Sequence, residues 1–244
     1  MNDGSAAAPS FAAEDLEVMS EAENYVRWIF SELVAPHLGP SVLEIGSGIG
    51  TYSPRIASDP KVKQLTCVEM DLRCVETARE ALAAADARKP IEFVVGDYLR
   101  APLPKDEYDT ALLINVLEHL QDDRAAIRKA RSELRMDGTL VIFVPAFGLL
   151  MSDLDRRLGH YRRYTTTSLR QLLEGAGFTV STLRYYNLAG FLGWLWRFRI
   201  RGSTAQSPAL VRFFDRRVLP VQLLVERALR LPVGQSVYAV AKKR

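Results

Sequence analysis

Residues 42–50 read VLEIGSGIG, an apolar run that passes straight into a turn with Gly46, Gly48 and Gly50 at alternate positions. Glycines there let the backbone turn tightly and let a ligand lie against it without interference from a Cβ. Open parallel sheets bind their ligands at such a place, outside the carboxyl end of a strand. The pattern does not meet the dinucleotide fingerprint GxGxxG/A. Counted from Gly46 its last position falls on Thr51, and counted from Gly48 it falls on Ser53. A nicotinamide dinucleotide is therefore set aside.

Outward from this turn the chain alternates. Short apolar or β-branched runs occupy residues 41–46, 64–70, 91–97, 108–115 and 138–145, with helical patterns at 72–85 and 122–135. Strands that alternate with crossovers predict an α/β fold, a doubly wound parallel sheet covered by helices on both faces. The runs LLIN and LVIFV fit strands buried on both sides. Before the sheet, Leu16, Met19, Tyr25, Trp28, Ile29 and Leu33 have the spacing of an amphipathic helix over about 15–38, stopped by Pro36, Gly39 and Pro40. Residues 1–12, rich in Ala and Ser, read as a disordered start, and 13–40 as a helical cap on a domain of residues 41–244. After Pro145 comes an irregular basic stretch, residues 146–165, then a helix near 167–176, a strand at 178–186 and a last strand at 236–242. A hairpin would need a few residues between those two strands. Residues 187–234 lie there instead, with helical patterns around 188–199 and 208–230.

Cys67 and Cys74, the two cysteines, are too few for a disulfide framework or a four-thiolate zinc site. No stretch approaches the apolar length of a membrane span, and the start is small and acidic where a signal peptide would be basic and then apolar. A soluble, cytoplasmic setting is expected. The formal net charge of +3 conceals an asymmetry: residues 1–140 carry 15 Lys/Arg against 24 Asp/Glu, and residues 141–244 carry 17 against 5. Such a field draws an anion toward the C-terminal part.

Three carboxylates stand at successive strand ends. Glu44 precedes Gly46 by two residues; Glu69 ends the second strand, where it can accept from both ribose hydroxyls; Asp97 ends the third, within reach of an adenine amino group and with Tyr98 beside the ring. Together with the glycine turn they point to a nucleoside ligand.

At these residues the chain resembles the class I S-adenosylmethionine-dependent methyltransferases. The matching segments are VLEIGSGIG, VEMD (68–71), GDY (96–98) and YDTALLINVLEHL (108–120), and the resemblance runs from about residue 25 to 178. A closer one is to bacterial members with an NYxRW-type helix, here Asn24–Trp28, and a later GHYRRY segment, here Gly159–Tyr164, which often sit near sugar or lipid-linked glycan pathways. The resemblance implies a Rossmann-like seven-stranded sheet of order 3-2-1-4-5-7-6 with strand 7 antiparallel, and S-adenosyl-L-methionine as the cofactor. It places Gly46, Ser47, Gly48 and Gly50, with Glu44, along the methionine moiety. Glu69 falls at the ribose, Asp97 and Tyr98 at the adenine, and Asn115 where the fourth strand approaches the donor, with Met70 a further donor-binding candidate. Tyr25 and Trp28 would close over the donor or simply pack the core. Some members hold a divalent metal on a Glu/Glu/His set in the fourth-strand motif; Asn115 takes the first of those positions, and no metal is expected. The insertion at 187–234 departs from the minimal pattern and makes the acceptor site the least transferable part.

Methyl transfer requires alignment of nucleophile, methyl and sulfur, exclusion of water, and a base when the nucleophile has a high pKa. Of three histidines, His37 lies at a helix end and reads as structural, whereas His119 and His160 stand at the carboxyl edge and are the candidate bases. The alternative for His119 is a side chain that holds the turn with Glu118. Around His160, Asp155, Tyr161, Arg162, Arg163 and Tyr164 read as an acceptor-binding loop that favours an anion, with Asp155 placed to orient the imidazole; Trp194, in the insertion, is a further candidate for acceptor binding. The expected function is methylation of a small molecule, on oxygen, in sugar or natural-product metabolism. Competing readings are a lipid-linked or membrane-held acceptor, a nucleic-acid target, and a donor-binding protein without catalysis. Against nucleic acid stand the lack of a separate binding domain and of an exposed aromatic platform. The segment 187–234 carries eight arginines against Asp215 and Glu226, with Phe191, Trp194, Trp196, Phe198 and Phe213 among them. It reads as an acceptor lid, a homodimer contact or a peripheral membrane contact.

Overall fold

The computed structural model describes residues 21–200 and 207–244, except the side chains of 198–200. The expected disorder of residues 1–12, the helix start with Leu16 and Met19, and the Phe198, Arg199 and Arg201 side chains lie outside them.

The strands are β1 (Ser41–Ile45), β2 (Gln64–Glu69), β3 (Ile91–Val95), β4 (Tyr108–Ile114), β5 (Leu134–Pro145), β6 (Phe178–Tyr186) and β7 (Ser236–Lys243). They form one sheet of order β3-β2-β1-β4-β5-β7-β6. β1 to β5 run parallel, and β7 pairs antiparallel with both β5 and β6. All five residues of β1 are buried, which is why its sequence is apolar without alternation. β5 begins four residues earlier than the apolar run suggests, because Leu134 turns extended directly after the preceding helix.

The helices are α1 (Glu23–Trp28), α2 (Ser53–Ser58), α3 (Leu72–Ala84), α4 (Asp123–Glu133), α5 (Asp153–Arg157), α6 (Thr166–Gly175), α7 (Leu188–Trp194), α8 (Pro208–Phe213) and α9 (Leu219–Ala228). Two of them, α2 and α5, were not legible as periodic patterns because each is under two turns long. A capping box sets the start of α5, where Ser152 and Asp155 satisfy each other's orphan backbone donors. The single helix expected up to residue 38 is instead α1, a wider π turn (Ile29–Val34) and a 3₁₀ turn (Ala35–His37) containing Pro36. In the insertion, α7 and α8 likewise widen into π turns, Leu195–Ile200 and Phe214–Val218.

Apolar side chains fill both faces of the sheet. On one face α4 and α6 bring Ile127, Leu169 and Leu173 onto Leu113, Ile142 and Ala239; on the other, Tyr25, Trp28, Ile29 and Ile56 pack on Val42, Leu112 and Phe143. The insertion is joined to this second layer by buried carboxylates. Asp215 accepts the backbone N–H groups of Tyr25 (2.8 Å) and Asn24 (3.2 Å), supplying partners that the first turn of α1 lacks. Glu226 accepts those of Asn187 (2.8 Å) and Leu188 (3.0 Å) at the start of α7.

Candidate active site

The parallel strands deliver their turns to one edge. Gly46, Gly48 and Gly50 all have positive φ, at +70°, +53° and +82°. A Cβ on Gly46 would lie 2.5 Å from Val116 Cγ2, and one on Gly50 2.8 Å from Ala78 Cα, so the turn is wedged between α3 and the end of β4. Glu69 closes it from β2: Oε2 accepts from Gly48 N (2.9 Å), and Oε1 accepts from Met70 N (2.8 Å) and Asp71 N (3.0 Å). The Ser47 hydroxyl beside it is buried and has no partner among the described residues. Such an orphan in a backbone cradle fits a site whose ligand supplies the missing hydrogen bond. Met70 is 74% exposed, Asp97 and Asn115 are also exposed, and Asn115 is held at φ +53°. Glycine turn, Glu69, Met70, Asp97 and Asn115 thus share the carboxyl edge.

Four residues expected at the donor are buried within the fold. Glu44 is buried in β1, where the Ser53 hydroxyl donates to it at 2.6 Å, so it braces the start of α2 beneath the turn. Tyr98 points into the core, and its hydroxyl donates to Glu133 at 2.7 Å. Trp28 packs edge-on against Tyr186 and is core. Tyr25 is also buried, beside Trp28 and Phe143, and burial pushes its phenol up to about 12.

Two predictions follow from this half. Glu69→Ala is expected to weaken donor binding by ~1–3 kcal/mol through loss of a charge-assisted contact. Calorimetry that shows unchanged affinity in a folded variant would remove Glu69 from the site. Burial pushes the Glu44 carboxyl up to about 7, with the Ser53 hydroxyl only partly opposing it. Between the ordinary carboxyl range and pH 7 the unfolded chain has released this proton and the fold has not, so Glu44 lowers stability as pH rises through that window. Glu44→Gln is expected to gain ~1–3 kcal/mol at pH 8 relative to its effect at pH 5. Equal denaturation midpoints for variant and parent at both pH values would contradict this.

The acceptor side is built from the turn after β4, Leu117–His119, and the loop around α5. At its centre Asp155 is fully buried. It accepts from the Ser152 hydroxyl and backbone N–H, both at 2.7 Å, and from Arg163 Nε at 2.8 Å; its Oδ1 lies 2.8 Å from His160 Nδ1. Burial alone would raise this carboxyl, but His160, Arg163 and Ser152 hold it at about 2. Asp155 therefore orients His160, and a proton on Nδ1 leaves the lone pair on Nε2. The His160 and His119 rings stand 4.6 Å apart and nearly perpendicular. Burial, and secondarily His160, lowers His119 to about 4, so it is neutral at neutral pH. Glu118, which the sequence offered only as a turn partner, is 1% exposed and pushed up to about 7 by burial. One nitrogen of each ring and one Glu118 oxygen all lie within 4.8 Å of one another.

Of the loop residues expected to bind an acceptor, several are used up internally. The side chain of Arg163 is buried, paired with Asp155 and donating to Ala146 O. Arg162 donates to Leu120 O and Gln121 O and pairs with Asp123 at 3.0 Å. Tyr164 is core, its hydroxyl on Asp123. A buried guanidinium such as that of Arg163 has to be paired within the protein, and the partly exposed Arg162 spends its donors on Leu120 O, Gln121 O and Asp123, so both hold the loop's shape. Tyr161, 56% exposed, remains at the surface beside His160. Trp194 comes to the loop from the insertion: its ring lies 4.7 Å from the Arg163 guanidinium, and its Nε1 donates to Leu150 O.

Known proteins place this arrangement. A probable S-adenosylmethionine-dependent methyltransferase of Mycobacterium tuberculosis is 27% identical over 153 residues, covering 62% of this chain and 53% of that protein. Ajmaline N-methyltransferase of Rauvolfia serpentina is 29% identical over 102 residues, covering 42% of this chain and 35% of its own. The chain thus spans about half or less of the length of these relatives. Among solved structures, a putative sarcosine dimethylglycine methyltransferase from Galdieria sulphuraria superposes with a TM-score of 0.62 at 17% identity, over 91% of this chain and 86% of that one. The family described as "Methyltransferase domain" matches residues 17–183, from the N-terminal helix through β6. With its strand order and glycine turn, the chain belongs to this methyltransferase family, of the class I, S-adenosylmethionine-dependent kind.

Proposed function

We propose that the protein transfers the methyl group of S-adenosylmethionine to an oxygen nucleophile of a small molecule. Gly46, Ser47, Gly48 and Gly50 take the methionine moiety, Glu69 the ribose, Met70 and Asp97 the adenine side, and Asn115 the place where β4 meets the donor. The observation that carries the choice of oxygen is the pair of touching imidazoles, with His160 oriented by a buried, ionised Asp155, at the edge shared with the donor turn. An amine nucleophile needs no such group; an alcohol or phenol has to lose a proton as the carbon–oxygen bond forms. Trp194, its ring 4.7 Å from the Arg163 guanidinium, would shield the acceptor loop from water. Incubation of the protein with methyl-labelled donor and separate panels of phenols, sugars, amines and RNA tests the reading. O-Methylated product from the first two panels supports it; label found only in amines or RNA overturns it.

A second reading, an acceptor held at a membrane surface, is favoured by one observation. Leu192, Trp196, Phe213, Val221 and Leu224 of the insertion are exposed next to Arg212, Arg216 and Arg217. Among the described residues no helix is long and apolar enough to cross a membrane, so the contact would be peripheral. Sedimentation with anionic vesicles at physiological salt supports it if binding is lost in a Trp196→Ala/Phe213→Ala variant, which leaves Trp194 in place. A concentration-dependent dimer lost in the same variant assigns the face to a second copy instead.

A further inference from the structure

We propose that Glu118, His119 and His160 form a binding site for one divalent transition-metal ion, zinc or manganese by their nitrogen and carboxylate donors. The loop after β5 brings His160 onto His119, so that their rings are 4.6 Å apart. The three ligand atoms span no more than 4.8 Å. In a filled site with bonds of about 2.0–2.2 Å, neighbouring donors stand roughly 3–3.5 Å apart, so small side-chain rotations suffice.

A second observation points to a ligand independently of this geometry. Glu118 is 1% exposed, yet its Oε2 has no hydrogen-bond partner among the described residues. A carboxylate oxygen buried in that state is costly, and a cation bridging it to the two imidazoles satisfies it. The outer contacts match as well. Metal-ligating histidines give their other ring N–H to a carboxylate, and His160 Nδ1 stands 2.8 Å from Asp155, itself held by Ser152 and Arg163. Two imidazoles and one carboxylate are three protein ligands, the number that leaves coordination positions open for an exogenous oxygen.

The inference rests on the proposed methyl transfer and gives the imidazoles a different part in it: they hold the metal, which ionises the acceptor oxygen in place of a histidine base. An acceptor hydroxyl bound to the metal releases its proton to solvent more readily. The oxygen then forms its bond to the methyl carbon as the carbon–sulfur bond breaks, and the sulfonium leaves as a neutral thioether.

The test measures binding of the metal alone. Chelator-stripped protein is titrated with zinc chloride and with manganese chloride in a calorimeter, and retained metal is counted by mass spectrometry after dialysis. The variants are Glu118→Gln, which keeps the buried shape, and His119→Asn, each checked for unchanged S-adenosylmethionine affinity as evidence of folding. One equivalent bound by the parent, with affinity at least tenfold weaker in both variants, is expected on removal of a ligand (roughly the scale of second-shell losses or more). A cobalt-substituted parent should also show visible ligand-field bands that both variants lose. Substoichiometric binding by the parent, or equal affinity in the variants, overturns the site. Because neither readout involves turnover, that result leaves the methyl-transfer reading standing, whereas absence of methylated product with metal bound defeats that reading alone.

Discussion

Asp155→Ala is expected to cost the fold about 3–5 kcal/mol, the largest loss from any single side chain around the pocket. The carboxylate is fully buried and serves Ser152, His160 and Arg163 at once. Its removal leaves a guanidinium whose side chain is 1% exposed with Ala146 O as its remaining acceptor, and deprives the Ser152 backbone N–H of its acceptor in the α5 capping box, the Ser152 cap itself remaining. Chemical denaturation of parent and variant with equal slopes measures the difference. Asp155→Asn should lie between the two, since an amide still accepts from Ser152 but offers Arg163 no charge. A loss under ~1 kcal/mol would mean that Arg163 turns to solvent and that the network does not set the loop's shape.

His160→Ala is expected to lower the methyl-transfer rate ~10²–10⁴-fold while donor affinity stays at the parent level. The split arises because His160 stands on the loop after β5, and the donor turn lies between β1 and α2. Single-turnover rates with saturating donor isolate the step. Rates within a few-fold of the parent would leave the pocket with a positioning role, suited to an amine or an already ionised acceptor.

The donor half was legible in the sequence because its determinants are local. Gly46, Gly48 and Gly50 follow β1 directly, Glu69 ends the largely buried β2, and Asp97 follows the β-branched run of the edge strand β3. Even there, a residue's position in a motif did not give its direction. Glu44 and Tyr98 occupy the expected positions, yet Ser53 and Glu133 draw their polar ends inward. The acceptor half depends on partners far apart in the chain. A run such as GHYRRY reads as displayed charge until Asp155, Asp123 and the carbonyls of Ala146, Leu120 and Gln121 are known to face it. The same distance hid Asp215 and Glu226, which look like stray acids in a basic segment and in fact terminate helices. Glu118 was visible but its burial was not, since an apolar neighbourhood made by folding cannot be read from adjacent letters.

The placement of β7 between β5 and β6 has a consequence for biosynthesis. A ribosome emits β6 and then the 49 residues between Tyr186 and Ser236 before the strand that joins both edges exists. At about 5–20 residues per second that interval lasts roughly 2–10 s. Throughout it β5 has β4 on one side and an open ladder of N–H and C=O groups on the other, and β6 has no strand partner at all. An unpaired strand edge whose residues Leu140–Pro145 are apolar is the kind of template on which nascent chains pair with one another. Slow codons within the insertion lengthen that exposure, while a chaperone that occupies the β5 edge on the ribosome protects the chain through it.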